Sequence, residues 1–545
     1  MIKRLTSVAL IICFLCLIFC SCGEEESVNI IYPITADPEC LDPQIIDNET
    51  AKIITTNCME GLVRISADGK ILPGVAKSWE VSSDGLVYTF KLRNDAKWQM
   101  LRSHSKVIGE DYESTFSTTV TAADCAFGIE RALRPETKAE NAYLLYPIRN
   151  AEDFNSGKAD RNSLGISVVD DTTLVISLER VCDDFLRILA EPMCMPCDEE
   201  FFNLTGAKYG LELKYTLCNG PFYIGKWLDD TSITLYRNEN YSGYSDFKTD
   251  AVYMYLNNEE SQFISKFNQG DYNAATISPA NISLVNKDAT ILKTSNKTYG
   301  FIFNCDDSIL SEDNIRKAFV NAIDISAMNI DSKSYTNAGG VVPEACSWGA
   351  ESYRKAVNNI NMPAFNSENA VSYFDKGLKS LDVTNINISI ICPEEFRKPV
   401  IRMIQKWEKL FGLAITVSVS AVEEDDLHNS VKKGEYQIAF TQLNAEDGNV
   451  LCFLDMFTSE NESNFANYQS KKYDEIIDKC KKQYSASDIL SGYKSAESML
   501  ITEGVFYPVY NDNSYLCVRD SATDVFGCSG FSNIDFAMWV ADDEK

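Results

Sequence analysis

Histidine is almost missing from this chain. Its 545 residues include only His104 and His428, which leaves little room for imidazole acid–base chemistry and argues against direct metal capture. The familiar catalytic signatures are missing as well. There is no G-x-S-x-G elbow, no H-E-x-x-H pair, no Walker-type loop and no G-x-G-x-x-G turn. Basic residues are outnumbered by acidic ones, 50 to 79, for a net charge of −29. No basic stripe follows a nucleic-acid backbone, so the acidic excess is read as a solubility device. The carboxylate run "VEEDDL" (422–427) has the character of a solvated face rather than of a catalytic dyad, since nothing separates the environments of its members. Beyond the N-terminus no apolar run is long enough to span a bilayer. No cofactor and no metal are implied.

What is present begins with a leader. Lys3 and Arg4 precede an apolar run over 8–19, followed by Cys20-Ser21-Cys22-Gly23. A short apolar run behind positive charge is a secretory signal. With small residues just before Cys22 it resembles a bacterial lipoprotein signal, although Phe19 stands where leucine is more usual. The resemblance implies that residues 1–21 are removed and that Cys22 carries the lipid; secretion without lipid is the alternative. The chain has 18 cysteines, and those beyond the leader have no repeating spacing, unlike a disulfide scaffold. Among these, Cys194-Met195-Pro196-Cys197 is the one Cys-x-x-Cys. It fits a redox pair or half of a zinc site; without a second pair, buried or incidental thiols are favoured.

Periodicity then outlines the body. "SWEVSSDGLVYTFKLR" (78–93) reads as a hairpin turning at Asp84-Gly85, with Leu86, Tyr88, Phe90 and Leu92 on one face. Thr121 is placed to cap a helix whose Ala122, Ala126, Ile129 and Leu133 share a face. A second hairpin turns at Asp229-Asp230, with Ile233 and Leu235 alternating. The C-terminal half changes rhythm: strand 386–392, a helix marked by Phe396, Val400, Ile404, Trp407 and Phe411, strand 415–420, a short helix near His428, and strand 436–440. This β-α-β-α-β order predicts parallel strands. Ligands of such sheets sit beyond the strands' carboxyl ends, here the loop 441–449.

The stretch 71–98, with Pro-Gly-x-Ala, Ser-Trp, Asp-Gly and Phe-x-Leu-Arg in order, resembles the signature of solute-binding proteins that serve peptide ABC importers. The blocks 120–137, 168–178, 219–241, 301–324, 467–477 and 506–511 follow in that family's order. The chain is similar to family 5 of the bacterial extracellular solute-binding proteins, in its oligopeptide- and dipeptide-binding branch. The resemblance implies an α/β, two-lobed periplasmic-binding-protein-like fold (type II, cluster C) with an extra subdomain. Lobe I would take 22–60, 183–292 and 505–545, the subdomain 61–182 and lobe II 293–504. It implies a monomeric, extracytoplasmic, lipid-anchored binder rather than an enzyme. Its partners would be a peptide, an ABC permease with its ATPase complex, and the membrane through Cys22. The ligand-binding residues would be Gln442, Leu443 and Asn444 as a backbone edge, Glu446 for the ligand's α-amine, and Glu49 on the other lobe's edge. Glutamate stands at 446 where the family usually has aspartate, and leucine at 443 where tryptophan is frequent. The segment 99–119 is an insertion, expected as a surface loop. The alternatives are the same fold with a nickel chelate, haem or oligosaccharide, or a thiol oxidoreductase using Cys194 and Cys197.

Overall fold

The computed structural model describes residues 28–46, 48–66, 70–111, 115–139, 141–182, 184–243, 249–257, 259–348, 351–358, 360–444, 450–461, 463–482, 486–519 and 534–539. Its helices and strands assemble as two lobes and a subdomain.

The first lobe is built on a four-stranded sheet. Val28–Ile34 pairs in parallel with Thr249–Leu256, which continues antiparallel into Ser232–Arg237 and Phe222–Leu228. The last two form the expected hairpin. Asp230 takes the left-handed conformation at its tip (φ 50°), and Ile233 and Leu235 are buried. The chain's end returns to this core with Ile534, Phe536 and Trp539. Asn57 ties it down, donating to the Ile534 carbonyl (2.6 Å) and accepting from the Phe536 N–H (2.9 Å).

The subdomain holds the first hairpin. Ala76–Val81 and Val87–Leu92 pair antiparallel within a four-stranded sheet completed by Thr173–Ser177 and Ile166–Asp170. Gly85 has φ 72°, a conformation glycine adopts without Cβ strain. Tyr88, Phe90 and Leu92 enter a core that runs from Leu62 to Leu217. The helix Ala122–Leu133 packs over them, capped by Thr121, whose N–H is bonded by Asp124 Oδ2 at 2.7 Å.

The insertion over 99–119 is more than a surface loop. Trp98 N–H reaches the Thr118 carbonyl (2.7 Å), Gln99 N–H reaches the Cys218 carbonyl (2.7 Å), and Phe116 is buried. His104 is buried with them. Its Nδ1 accepts from Leu101 N–H (3.1 Å), so Nε2–H faces the Thr216 carbonyl (3.2 Å). Both ring positions are thereby committed in the neutral form. Burial holds its pKa below the usual 6.5. The unfolded chain therefore takes up this proton first. The stabilisation is complete above about pH 6.5 and is lost as pH falls from there towards the lower folded value. A His104→Gln variant, compared with wild type by urea unfolding across pH 5–7.5, is expected to lose this part of the pH slope; identical slopes would contradict it.

The second lobe is a six-stranded mixed sheet. Its order is Tyr335–Asn337, Phe506–Asp512, Lys297–Phe303, Ile438–Asn444, Ile386–Pro393, Ile415–Val422. The last three are parallel, as the β-α-β-α-β rhythm predicts. The helix Arg397–Phe411 buries Val400, Ile404, Trp407 and Phe411 together with the preceding Phe396.

Two strand pairs join the lobes. Thr290–Thr294 pairs with Ser514–Val518 in the first lobe's three-stranded sheet, and Lys297–Phe303 with Phe506–Asp512 in the second. The chain crosses at Ser295-Asn296 and again at Asn513. Side chains bond across this hinge: the Ser295 hydroxyl donates to the Asp512 carbonyl, and Lys297 N–H donates to Asp512 Oδ1 at 2.9 Å.

Candidate ligand site

The strand Ile438–Asn444 has an incomplete neighbour. On one side it pairs with Lys297–Phe303 over its full length. On the other it meets Ile386–Pro393 only through Ile438 and Ala439. From Phe440 onward no strand among the described residues pairs on that side, so the sheet opens as a wedge at the carboxyl end of the strand. The phase of the ladder follows from one bond. Asn304 N–H donates to the Gln437 carbonyl (2.9 Å), so Gln437, Ala439, Thr441 and Leu443 turn their main-chain groups towards Lys297–Phe303. Gln442 therefore turns its N–H and C=O into the wedge.

The expected site residues are distributed as follows. Gln442 and Asn444 lie on the open strand; Leu443 is on it too, but its side chain is buried in the second lobe's core and its main-chain groups turn to Lys297–Phe303, so neither faces the wedge. Glu446 and Cys22 lie outside the described residues. Glu49 opens the helix Glu49–Cys58 on the other lobe, exposed at its tip, with Asn48 Oδ1 capping the helix through Ala51 N–H at 2.8 Å. The protein around Glu49 raises its pKa by desolvation, and Lys52 opposes the shift.

Two groups behind these residues escaped the sequence reading. The first is a buried ion pair. Arg131 donates through Nη1 to Asp42 Oδ1 (2.9 Å) and through Nη2 to Asp42 Oδ2, reaches Gln44 Oε1, and stacks 4.1 Å from the Phe202 ring. Gln44 in turn donates to the Met193 and Met195 carbonyls (3.2 and 3.1 Å). The subdomain thus fixes the turn that leads into Asn48 and Glu49. The second is an aromatic group on the sheet face beside the wedge: Tyr299, Tyr335 and Phe396, with ring centroids 4.9–5.6 Å apart. Partners 89 residues apart in the first case, and tyrosines that scan as ordinary core in the second, leave no spacing signal.

A separate cavity of about 90 Å³ lies between the first lobe and the subdomain, lined by Met59, Glu60, Arg64, Glu191, Tyr241 and Asp535 among others. The Glu60 carboxylate there is engaged by Arg93 (2.6 Å) and by the Tyr241 hydroxyl, an arrangement that holds the subdomain in place.

The thiol alternative requires an accessible, acidified sulfur. Cys194 and Cys197 are both buried, and burial raises both pKa values, that of Cys197 to about 12. Arg131 only partly offsets this. Neither sulfur is the exposed, acidified thiol that a redox pair requires.

A family model described as bacterial extracellular solute-binding proteins, family 5, middle region, matches residues 70–465. The chain belongs to this family. Among similar curated proteins, the dipeptide-binding protein DppE of Bacillus subtilis strain 168 is 26% identical over 487 residues, covering 87% of this chain and 85% of its own. The oligopeptide-binding protein OppA of the same organism is 24% identical over 494 residues, covering 88% and 86%. Among solved structures, Listeria monocytogenes OppA bound to peptide superposes with a TM-score of 0.69 at 24% identity, covering 94% of this chain and 99% of that one. The unliganded open form of the periplasmic murein tripeptide-binding protein MppA gives 0.73 at 19%, covering 94% and 97%. The fold is therefore the two-lobed binding-protein fold with its extra subdomain.

Proposed function

We propose that this chain captures peptides between its lobes and delivers them to an ABC importer. The observation that carries this reading is the unpaired main chain of Gln442 in the wedge. A peptide arrives with N–H and C=O groups that cost about 1–3 kcal/mol each if buried unpaired. A sheet edge satisfies them whatever the side chains, which is what a binder of varied peptides needs. The names of the similar proteins support the same ligand class. The edge belongs to Gln442 and Asn444, with Leu443 holding the strand to the core between them; Glu446, just beyond, takes the ligand's α-amine, and Glu49 lines the opposite edge. Residues 293–504 close over the first lobe about the Ser295/Asn513 hinge, and a ligand that touches both lobes shifts the population to the closed form. That form docks on the permease as a monomer, and lipid on Cys22 holds the protein at the extracytoplasmic face.

Calorimetry of the mature chain with short peptides tests this. Peptides with a free α-amine should bind, and Glu446→Ala should weaken them about tenfold or more relative to their N-acetylated forms, as loss of a charge-assisted bond would. Equal losses for both forms would remove Glu446 from the amine role. No binding of any peptide in a diverse mixture would overturn the function.

A further inference from the structure

The side chain of Gln442 carries information that its main chain does not. Its amide oxygen Oε1 is shut off from solvent and has no hydrogen-bond partner among the described residues. A buried acceptor left unpaired is costly, so the position calls for a donor. The register sets Gln442 directly opposite Tyr299, which puts both side chains on one face of the sheet. Tyr299 meets Tyr335 edge to face at 5.6 Å, and both lean on Phe396.

The same corner gathers carboxylates from three separate elements. Glu395 ends the turn after Ile386–Pro393 and accepts from the Tyr335 hydroxyl at 3.2 Å. Glu424 begins the helix Glu424–Lys432 that follows the neighbouring parallel strand, and Asp512 ends the hinge strand. Burial, then Tyr335 and the three carboxylates, raises the pKa of Tyr299; burial, then Glu395, Asp512 and Glu424, raises that of Tyr335. Of the nearby cations, Arg397 is taken by Glu394 (3.6 Å), and Lys297 acts on Asp512. Glu395 and Glu424 are exposed towards solvent.

We propose that this corner is a subsite for a cationic group on the ligand, a lysine or arginine side chain, with Gln442 and Glu395 as its specificity-determining residues. It rests on the peptide-binding reading above and adds a substrate class to it. An ammonium or guanidinium offers donors and no acceptors. It donates to Gln442 Oε1, donates a charge-assisted bond to the second carboxylate oxygen of Glu395, and lies against electron-rich phenol faces. An apolar chain of equal length leaves the Gln442 oxygen orphaned.

The test is calorimetry of the mature chain with three pairs of alanine-based tripeptides, lysine against norleucine at each position in turn. At one position the lysine peptide should bind about tenfold or more tightly than its norleucine partner. Glu395→Gln, at an exposed site that keeps the fold, should bring that ratio towards one; so should Gln442→Leu, and if the latter fails to fold the former decides. Equal binding within every pair overturns the inference and leaves peptide capture standing. A preference that survives both variants also overturns it. Failure of all six peptides to bind overturns the inference, and the diverse mixture then decides whether peptide capture stands.

Discussion

Replacing Arg131 with alanine is expected to lower the unfolding free energy by about 3–5 kcal/mol, the range for breaking a buried ion pair from one side. The guanidinium and Asp42 are both nearly inaccessible to water. Alanine would leave the Asp42 carboxylate and the Gln44 amide oxygen facing a hole where two nitrogens had stood. It would also remove a cation from the Phe202 and Tyr209 rings. The pair itself need not be strongly stabilising, because desolvation offsets most of its attraction. The informative comparison is therefore with a double variant, Arg131→Met with Asp42→Leu, which strands no charge. It should recover a large part of the loss. Urea unfolding reads both, with a fall in midpoint at nearly constant slope for Arg131→Ala. A single-variant loss below about 1 kcal/mol would mean that water reaches the pair. The defect should also spread to the site, because the turn held by Gln44 leads straight into Asn48 and the first turn of the helix Glu49–Cys58.

Local rules found the parts of this fold that local rules build. Gly85 and Asp230 mark turns because their tips need a positive φ. Phe396, Val400, Ile404, Trp407 and Phe411 were visible as a buried helical face because one side of that helix meets one core. The parallel strands followed from their alternation with helices, and with them the end of the sheet where a ligand belongs. The insertion lies largely at the surface, as expected, but two of its described residues, His104 and Phe116, are buried. "RSHSK" is polar by composition, yet His104 is admitted to the interior because two main-chain groups, Leu101 N–H and the Thr216 carbonyl, satisfy both ring nitrogens. The Arg131–Asp42 pair was out of reach for a physical reason: a charge is buried only where a distant partner compensates it, and no window of sequence holds both. The site strand is legible from 436 to 440, but it runs on to Asn444, through residues that periodicity places in the loop beyond it. That it outruns its neighbour at Ala439 is a property of how two strands diverge in space, and only the pairing registers reveal it.

That divergence leads to the other large effect. A set of peptides carrying a single N-methyl group at successive positions should lose affinity in alternation. Main-chain groups of an extended ligand point left and right in turn, and the wedge offers the N–H and C=O of Gln442 on one side only, its partner residues Thr441 and Leu443 being committed to Lys297–Phe303. N-methylation of the ligand amide that faces Gln442 removes a donor and drives a methyl group against the strand. The carbonyl it served is then left buried without a partner, a cost of about 1–3 kcal/mol or roughly 5–150-fold in affinity. The next amide along points away from this strand and should tolerate methylation far better unless it meets the opposite lobe. Calorimetry across such a series therefore reads the geometry of the bound chain without any change to the protein. Alternating losses with the largest at one register would mean that the guest extends the sheet where Ile386–Pro393 has left it. Uniform tolerance would mean that the ligand is gripped by its side chains, and strand addition at Gln442 would have to be given up.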